Sequence, residues 1–171
     1  MRATVTSDDS ATSRLEDVYV RHAPAALRLA YFLSGDPEGA RDLVQDAFVQ
    51  VAGRFRYLRQ PDSFDVYLRR TIINLHTSQL RRRKVERAFL AREAALPLPV
   101  AADESPEMRD EMWREILGLA PRQRAAIVLR FYEDLSEQES AEILGCSVGA
   151  LNQLVARAMS NLRTSVEEEG P

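Results

Sequence analysis

The stretch SEQESAEILGCSVGALNQLVARAMSNLR, from Ser136 to Arg163, decides the fold of the second half of this chain. Ser136 and Glu139 form a capping box, in which a hydroxyl and a carboxylate each satisfy a free backbone amide of the first helical turn. Ala141, followed four residues later by Gly145, allows two helices to cross closely around a tight turn. The stretch therefore predicts a helix-turn-helix, whose second helix fits the DNA major groove.

The second helix of this motif has two different faces. The residues predicted to hold it against its own lobe are Leu144, Leu151, Val155 and Leu162. The opposite face is small and amide-bearing, and no acidic residue occurs from Val148 to Val166. The residues predicted to face DNA are Gly149, Asn152, Gln153, Ala156 and Ser160, with Arg157 at the edge. The alternative is a helical hairpin that only packs.

Composition places the chain among globular proteins of one ordinary domain or two small ones. It has 171 residues, of which 45% are hydrophobic and 29% are charged. The lone cysteine, Cys146, excludes an internal disulfide and is consistent with a reducing cytosol. No apolar run reaches membrane-spanning length, and the first residues lack the pattern of a signal peptide. A cytoplasmic protein without membrane insertion is predicted.

Charge is distributed unevenly along the chain, although the formal net charge is only −3 and the pI is near 5.5. From Arg69 to Arg92 there are eight basic residues against the single acid Glu86. From Asp103 to Glu115 there are six acids against two arginines. A basic block followed by an acidic one suggests separate tasks for the two halves.

Hydrophobic periodicity predicts an all-α fold of two small helical domains, the first a bundle of three to four helices and the second containing the helix-turn-helix. Three prolines and no amphipathic face mark the segment between them as a flexible linker. Because such a linker gives the lobes little to bind each other with, they are expected to move independently in the free protein. The predicted boundaries are a disordered lead at 1–11, the first domain at 12–93, the linker at 94–107 and the second domain at 108–166.

Capping signals place the helices of the first domain. A helix is predicted to start near Thr12 or Ser13 and to end at Gly35, a usual C-cap residue. Asp36 and Pro37 then open a second helix as its N-cap and first helical position. Asp62 or Ser63 is predicted to cap a third helix that runs into the basic block.

Residues suited to catalysis are scarce. The two histidines, His22 and His76, lie at no metal-ligand spacing from another histidine or cysteine. The sequence contains no glycine-rich phosphate loop and no nucleophile motif. No enzymatic activity, metal or cofactor is therefore predicted.

The third helix carries the features of a single-strand binder. Phe64, Tyr67, Asn74 and His76 precede the run Arg81–Lys84 on the same element. Aromatic and polar groups beside clustered arginines suit opened DNA, with the cations on phosphates. The alternative is a solvated, arginine-rich hinge.

Three segments in this order resemble a known family. They are DLVQDAFVQV, DSFDVYLRRTIINLHTSQLRRRK, and LAPRQRAAIVLRFYEDLSEQESAEILGCSVGALNQLVARAMSNLR. Together they are similar to bacterial RNA polymerase sigma factors of the extracytoplasmic-function type, which are built from two domains and a linker. The resemblance covers roughly Leu15 to Arg163, and the actinobacterial SigE-like subfamily is the nearest match.

The resemblance implies three interfaces and a transcription factor without enzymatic activity. The DLVQDAF helix would dock on the clamp helices of the largest subunit of core RNA polymerase through Asp42, Gln45, Asp46 and Gln50. The third helix would melt and read the minus-ten promoter element with Tyr67, Arg70, Asn74, Arg81, Arg82, Arg83 and Lys84. The helix-turn-helix would read the minus-thirty-five element with Gly149, Asn152, Gln153, Ala156 and Arg157, and Arg130 would hold a phosphate. The family also leaves open an anti-sigma factor as a partner.

The reading helix departs from the family pattern. The family usually continues from SVG with Thr, an aliphatic residue, Lys or Arg, and Ser, whereas this chain has Ala150, Leu151, Asn152 and Gln153, then Leu154. Amides suit adenine, so a minus-thirty-five element that leans on adenines is predicted.

Two other classes of protein compete with a sigma factor. A plain helix-turn-helix regulator needs neither the DLVQDAF helix nor the arginine-rich third helix. A sigma-like decoy, which binds polymerase or an anti-sigma factor without reading promoters, is favoured by Asn152 where the family has a cation.

Overall fold

The computed structural model describes residues 6–55, 62–94 and 111–168, and every regular element in those ranges is helical, as predicted. The predicted linker at 94–107 lies outside the described residues, apart from Ala94, which ends a helix. The elements are α1 (Thr6–Ser34), α2 (Pro37–Phe55), α3 (Asp62–Ala94), α4 (Glu111–Gly118), α5 (Pro121–Ile127), a π-helical turn (Val128–Tyr132), α6 (Glu137–Leu144) and α7 (Val148–Glu168).

The first helix is longer than predicted. It begins at Thr6, so residues 6–11 belong to α1 and the predicted disordered lead at 1–11 is wrong for them. Periodicity detects only the part of a helix that packs, and the apolar pattern of α1 starts at Leu15. The residues before Leu15 therefore give no such signal.

Helices α1, α2 and α3 form the first bundle, and the predicted caps at Gly35 and Asp36 are confirmed. Gly35 adopts a φ of +72° and donates its N–H to the Tyr31 carbonyl at 2.8 Å. The Asp36 carboxylate accepts the N–H of Gly39 at 2.8 Å and so caps α2. The bundle core is built from fully buried apolar side chains, including Leu29, Leu33, Leu43, Val44, Val51, Leu68 and Ile72.

Helices α4 to α7 form the second lobe, and the predicted helix-turn-helix is confirmed. The Ser136 hydroxyl accepts the Glu139 N–H, and the Glu139 carboxylate accepts the Ser136 N–H at 2.8 Å. Gly145 ends α6 in the left-handed region, with φ +61°. Buried Ala141 and Leu151 bring α6 and α7 together.

A π-helical turn ends the helix that starts at Pro121, where the sequence predicts only continuous α-helix. The N–H of Glu133 reaches back five residues to the Val128 carbonyl, at 2.9 Å. The turn contacts the first lobe. Tyr132 packs against Phe32 of α1, with ring centroids 4.8 Å apart.

The two lobes pack against each other, so the predicted independent movement of the lobes is wrong for this structure. Helix α3 lies against α6, and one continuous apolar core contains residues of both lobes. Trp113 of α4 is buried against α1, with its ring centroid 5.1 Å from that of Phe32. Arg124 of α5 donates to the carbonyl of Leu33 at the end of α1. The contact is made by the lobes themselves, which the composition of the linker does not report.

Candidate nucleic-acid interface

Helix α2 presents a polar face opposite its core. Its inward residues Leu43, Val44, Ala47 and Phe48 are buried. The four residues predicted to bind polymerase, Asp42, Gln45, Asp46 and Gln50, are all exposed. Val49 lies among them and is 69% exposed, so the face combines acids and amides with an apolar centre. This face stays open although the lobes are packed together.

The C-terminal part of α3 extends beyond the bundle as a basic rod. Every residue from Arg81 to Phe89 is exposed, including the predicted phosphate contacts Arg81, Arg82, Arg83 and Lys84. Arg82 pairs with Glu86 at 3.6 Å, and both side chains are mostly in solvent. The arrangement leaves the cluster accessible to a polyanion.

Two residues that the sequence grouped with the single-strand face lie in the core instead. Phe64 is buried beneath the ring of His22, with centroids 4.9 Å apart. His76 is only 4% exposed, and burial, helped by the nearby positive charges of Arg124 and Arg83, lowers its pKa to about 4. The neutral imidazole therefore belongs to the packed side of α3. Of the predicted minus-ten residues, Tyr67 is half-buried and Asn74 is exposed.

The N-terminal part of the predicted minus-ten face of α3 contacts the second lobe. Arg70 donates to the carbonyls of Glu142 and Ile143, at the C-terminal end of α6, where the helix dipole is negative. Asn74 and Arg81 line a crevice of about 290 Å³ whose other wall includes Arg122 and Leu144 of the second lobe. The predicted strand-reading face is thus partly covered.

A buried ion cluster joins the lobes beside this face, and sequence reasoning missed it. The Glu133 carboxylate, whose side chain is fully buried, accepts from Arg28 Nε at 2.7 Å and from Arg69 Nη1 at 2.5 Å. Arg69 also donates to Asp65 at 2.7 Å. Burial alone would raise the pKa of Glu133, but the hydrogen bonds from Arg28 and Arg69 outweigh it and the pKa lies below its ordinary value. Residues 105 and 64 positions apart along the chain leave no local signal.

The predicted reading face of α7 is at the surface. Gly149, Asn152, Gln153, Ala156 and Arg157 are all exposed, while Leu151 and Ala158 anchor the opposite side. The Asn152 amide donates to the Glu137 carboxylate of α6 at 3.4 Å. Arg130 is placed differently, because it is half-buried in the π-helical turn and donates to the Leu135 carbonyl. Its predicted phosphate contact is therefore the least supported of the set.

An open apolar groove on the second lobe is a further feature that the sequence did not indicate. It has a volume of about 470 Å³ and is lined by Met112, Ile116, Ile127, Phe131, Tyr132, Met159, Leu162 and Arg163. Phe131 and Met159 are exposed although they are large and apolar. The lining residues belong to four elements, α4, α5, the π-helical turn and α7, so no single helical period reveals the groove.

Among the described residues, no helix combines the length and the apolar composition of a membrane span. No group of three or more His, Cys, Asp or Glu side chains among them is arranged to hold a metal ion.

Comparisons with known proteins match both lobes. The family described as sigma-70 region 2 matches residues 18–86, and sigma-70 region 4 matches residues 109–162. The chain is 36% identical over 146 residues to the RNA polymerase sigma-E factor of Streptomyces coelicolor, covering 85% of this chain and 82% of that protein. It is 38% identical over 154 residues to the sigma-E factor of Streptomyces avermitilis, covering 87% and 83%.

A solved structure shares the fold. The sigma factor RpoE of Bartonella quintana, in complex with the anti-sigma factor NepR, superimposes with a TM-score of 0.68 over 91% of this chain and 98% of that one. The two sequences are 23% identical.

Proposed function

The chain belongs to the sigma-70 family of RNA polymerase sigma factors, and on that basis we propose which of its polar faces binds polymerase and which bind promoter DNA. It is a sigma factor of the extracytoplasmic-function type that directs RNA polymerase to promoters. Its domain boundaries are proposed at 12–93 and 108–166. It acts in the cytoplasm as an initiation factor without catalytic activity of its own.

The observation that carries this proposal is the exposed face of α2. Asp42, Gln45, Asp46 and Gln50 form one exposed polar strip around Val49, and the opposite side of the helix is buried in the core. A protein that only bound DNA would gain nothing from this acidic strip, because like charge repels phosphate. We assign the strip to the clamp helices of the largest polymerase subunit.

Promoter DNA is the second partner, contacted by two faces on different lobes. Asn74 and the Arg81–Lys84 cluster of α3 are proposed to bind the melted minus-ten element, with Tyr67 and Arg70 beside them. Asn152, Gln153 and Arg157 are proposed to read the minus-thirty-five element. The acidic chain approaches DNA because polymerase holds both faces at high effective concentration, so little free affinity is needed. An anti-sigma factor is a further proposed partner, as one is bound to the related RpoE.

The test is reconstitution with purified core polymerase. Asp42→Lys with Asp46→Lys should weaken the complex by a few kcal/mol, as expected where charged contacts at an interface are reversed. Transcription from a cognate promoter should fall with it. The matched control is Glu16→Lys with Asp17→Lys, which makes the same charge change on exposed residues of α1.

Three outcomes separate the candidate functions. Loss of core binding in the α2 variant, with the α1 control unchanged, supports the assignment. Unchanged co-purification of the α2 variant with core polymerase would contradict the assignment. Core binding by the wild type with no promoter-dependent transcription would identify a decoy instead.

A further inference from the structure

In the packed arrangement of the lobes, one face of α3 is needed both for the contact with α6 and for the proposed binding of the minus-ten strand. The proposed minus-ten reader needs the α3 face around Arg70 and Asn74, but α6 lies against that face in the free chain. The Arg70 guanidinium, which would hold a phosphate, is already bound to backbone carbonyls of α6. A strand that tracks along α3 therefore requires the space that the second lobe fills.

The contact that holds the second lobe there has its charges divided between the lobes. Glu133 comes from the second lobe, and both of its guanidinium partners, Arg28 and Arg69, come from the first. A fully buried carboxylate without its partners is strongly unfavourable. The bonds of Glu133 thus form only when the lobes are packed together, whereas Arg69 keeps Asp65 of its own helix as a partner when they separate.

We propose that Glu133, Arg28 and Arg69 form an ionic latch that keeps the free chain closed and covers the strand-binding face of α3. The latch rests on the proposed minus-ten role of that face. The polymerase-binding strip of α2 is exposed in the closed form, so core polymerase can dock before the latch opens. Opening then releases Arg70 and removes the second lobe from the crevice beside Asn74, where promoter DNA is present.

The chain carries its own reporter of opening. Trp113 is the single tryptophan, is 7% exposed, and packs against Tyr31 and Phe32 of the first lobe. Separation of the lobes removes that cover, so its fluorescence emission should shift to longer wavelength. This readout depends on the lobe contact and needs neither DNA nor polymerase.

The experiment compares the full-length wild type with Glu133→Gln in two measurements. The first is Trp113 emission, and the second is anisotropy of a fluorescein-labelled single-stranded oligodeoxynucleotide of mixed sequence at fixed salt. The variant should show red-shifted emission and bind the oligonucleotide about tenfold more tightly or better, since a closed form populated at about 90% reduces apparent affinity by that factor. Asp134→Asn, at an exposed aspartate of the same lobe, controls for the lost negative charge and should behave as the wild type.

A second variant guards against loss of folding. Arg28→Gln removes the more exposed partner of the latch, with a side chain 54% in solvent, and circular dichroism should show wild-type helix content. Wild-type emission and wild-type DNA binding in both variants would overturn the latch. Red-shifted emission without tighter DNA binding would overturn the masking of α3. Failure of the wild type to support transcription with core polymerase would count against the proposed function, while the emission readout would still decide whether the latch exists.

Discussion

Lowering the pH from 7 to 5 should destabilise this protein through one buried histidine, His76. The imidazole lies on the packed side of α3, where burial and the charges of Arg124 and Arg83 lower its pKa from 6.5 to about 4. Between those two values the unfolded chain binds a proton that the folded chain does not. The free energy of unfolding therefore falls as the pH drops through 6.5, and the loss stops growing below about 4.

The magnitude follows from the two pKa values. A full shift from 6.5 to about 4 corresponds to about 3.5 kcal/mol, at about 1.4 kcal/mol for each pH unit. At pH 5 the linkage gives a loss of about 2 kcal/mol relative to pH 7. Glu133 and Glu139 also have lowered pKa values, but their contributions are lost at more acidic pH, because carboxyl groups titrate lower. The window from pH 7 to 5 thus isolates the histidine.

Urea unfolding followed by circular dichroism at pH 7, 6 and 5 measures the effect. His76→Gln replaces the imidazole with a side chain that does not titrate, so the loss of about 2 kcal/mol should disappear. His22→Gln removes the only other histidine, whose ring is at the edge of the core, and the loss should persist. If His76→Gln loses as much stability at pH 5 as the wild type, the burial of this side of α3 is wrong, and the histidine could return to the DNA-facing side.

Two further predictions concern promoter DNA. Asn152→Lys should move the preferred minus-thirty-five base from adenine toward guanine by about 1–3 kcal/mol for the base pair contacted. Promoter selection with reconstituted polymerase measures this shift. Identical motifs selected by the wild type and the variant would show that this face of α7 does not read bases. Alanine at Arg81, Arg82, Arg83 and Lys84 should reduce open-complex formation and flatten its salt dependence, because fewer counterions are released. Asn74→Ala should instead relax the preference at one minus-ten base, and an effect of both changes on core binding alone would contradict the assignment.

Local signals predicted the individual helices well. The apolar period of α2 placed Leu43, Ala47 and Val51 in the core, and helical spacing put Asp42 and Asp46 on the opposite side. Gly35 and Gly145 marked turns because both adopt positive φ. Each of these features depends on residues within a few positions of one another, which is the range that a sequence pattern reports.

The relation between the lobes depends on distant residues and was missed for that reason. Arg28 and Glu133 meet across 105 positions, and no periodicity connects them. His76 was misplaced for the same reason, because α3 packs on its own bundle and also on α6. An arginine-rich helix reads as solvated along all its faces, and only tertiary packing shows that Arg69 is almost buried.

The π-helical turn at Val128–Tyr132 makes the contact between the lobes sensitive to a change in chain length. A turn of this kind holds one residue more than an α-helical turn, and such turns are frequent at functional sites. Removing one residue from it would rotate Glu133 by about 100°, the angle between successive residues of an α-helix. Residues 133–136 connect the turn to α6, so α6 and α7 need not rotate with Glu133. Deleting one codon in this turn is therefore expected to break the contacts of Glu133 with Arg28 and Arg69, without altering any residue of the α7 face that is proposed to read the minus-thirty-five element.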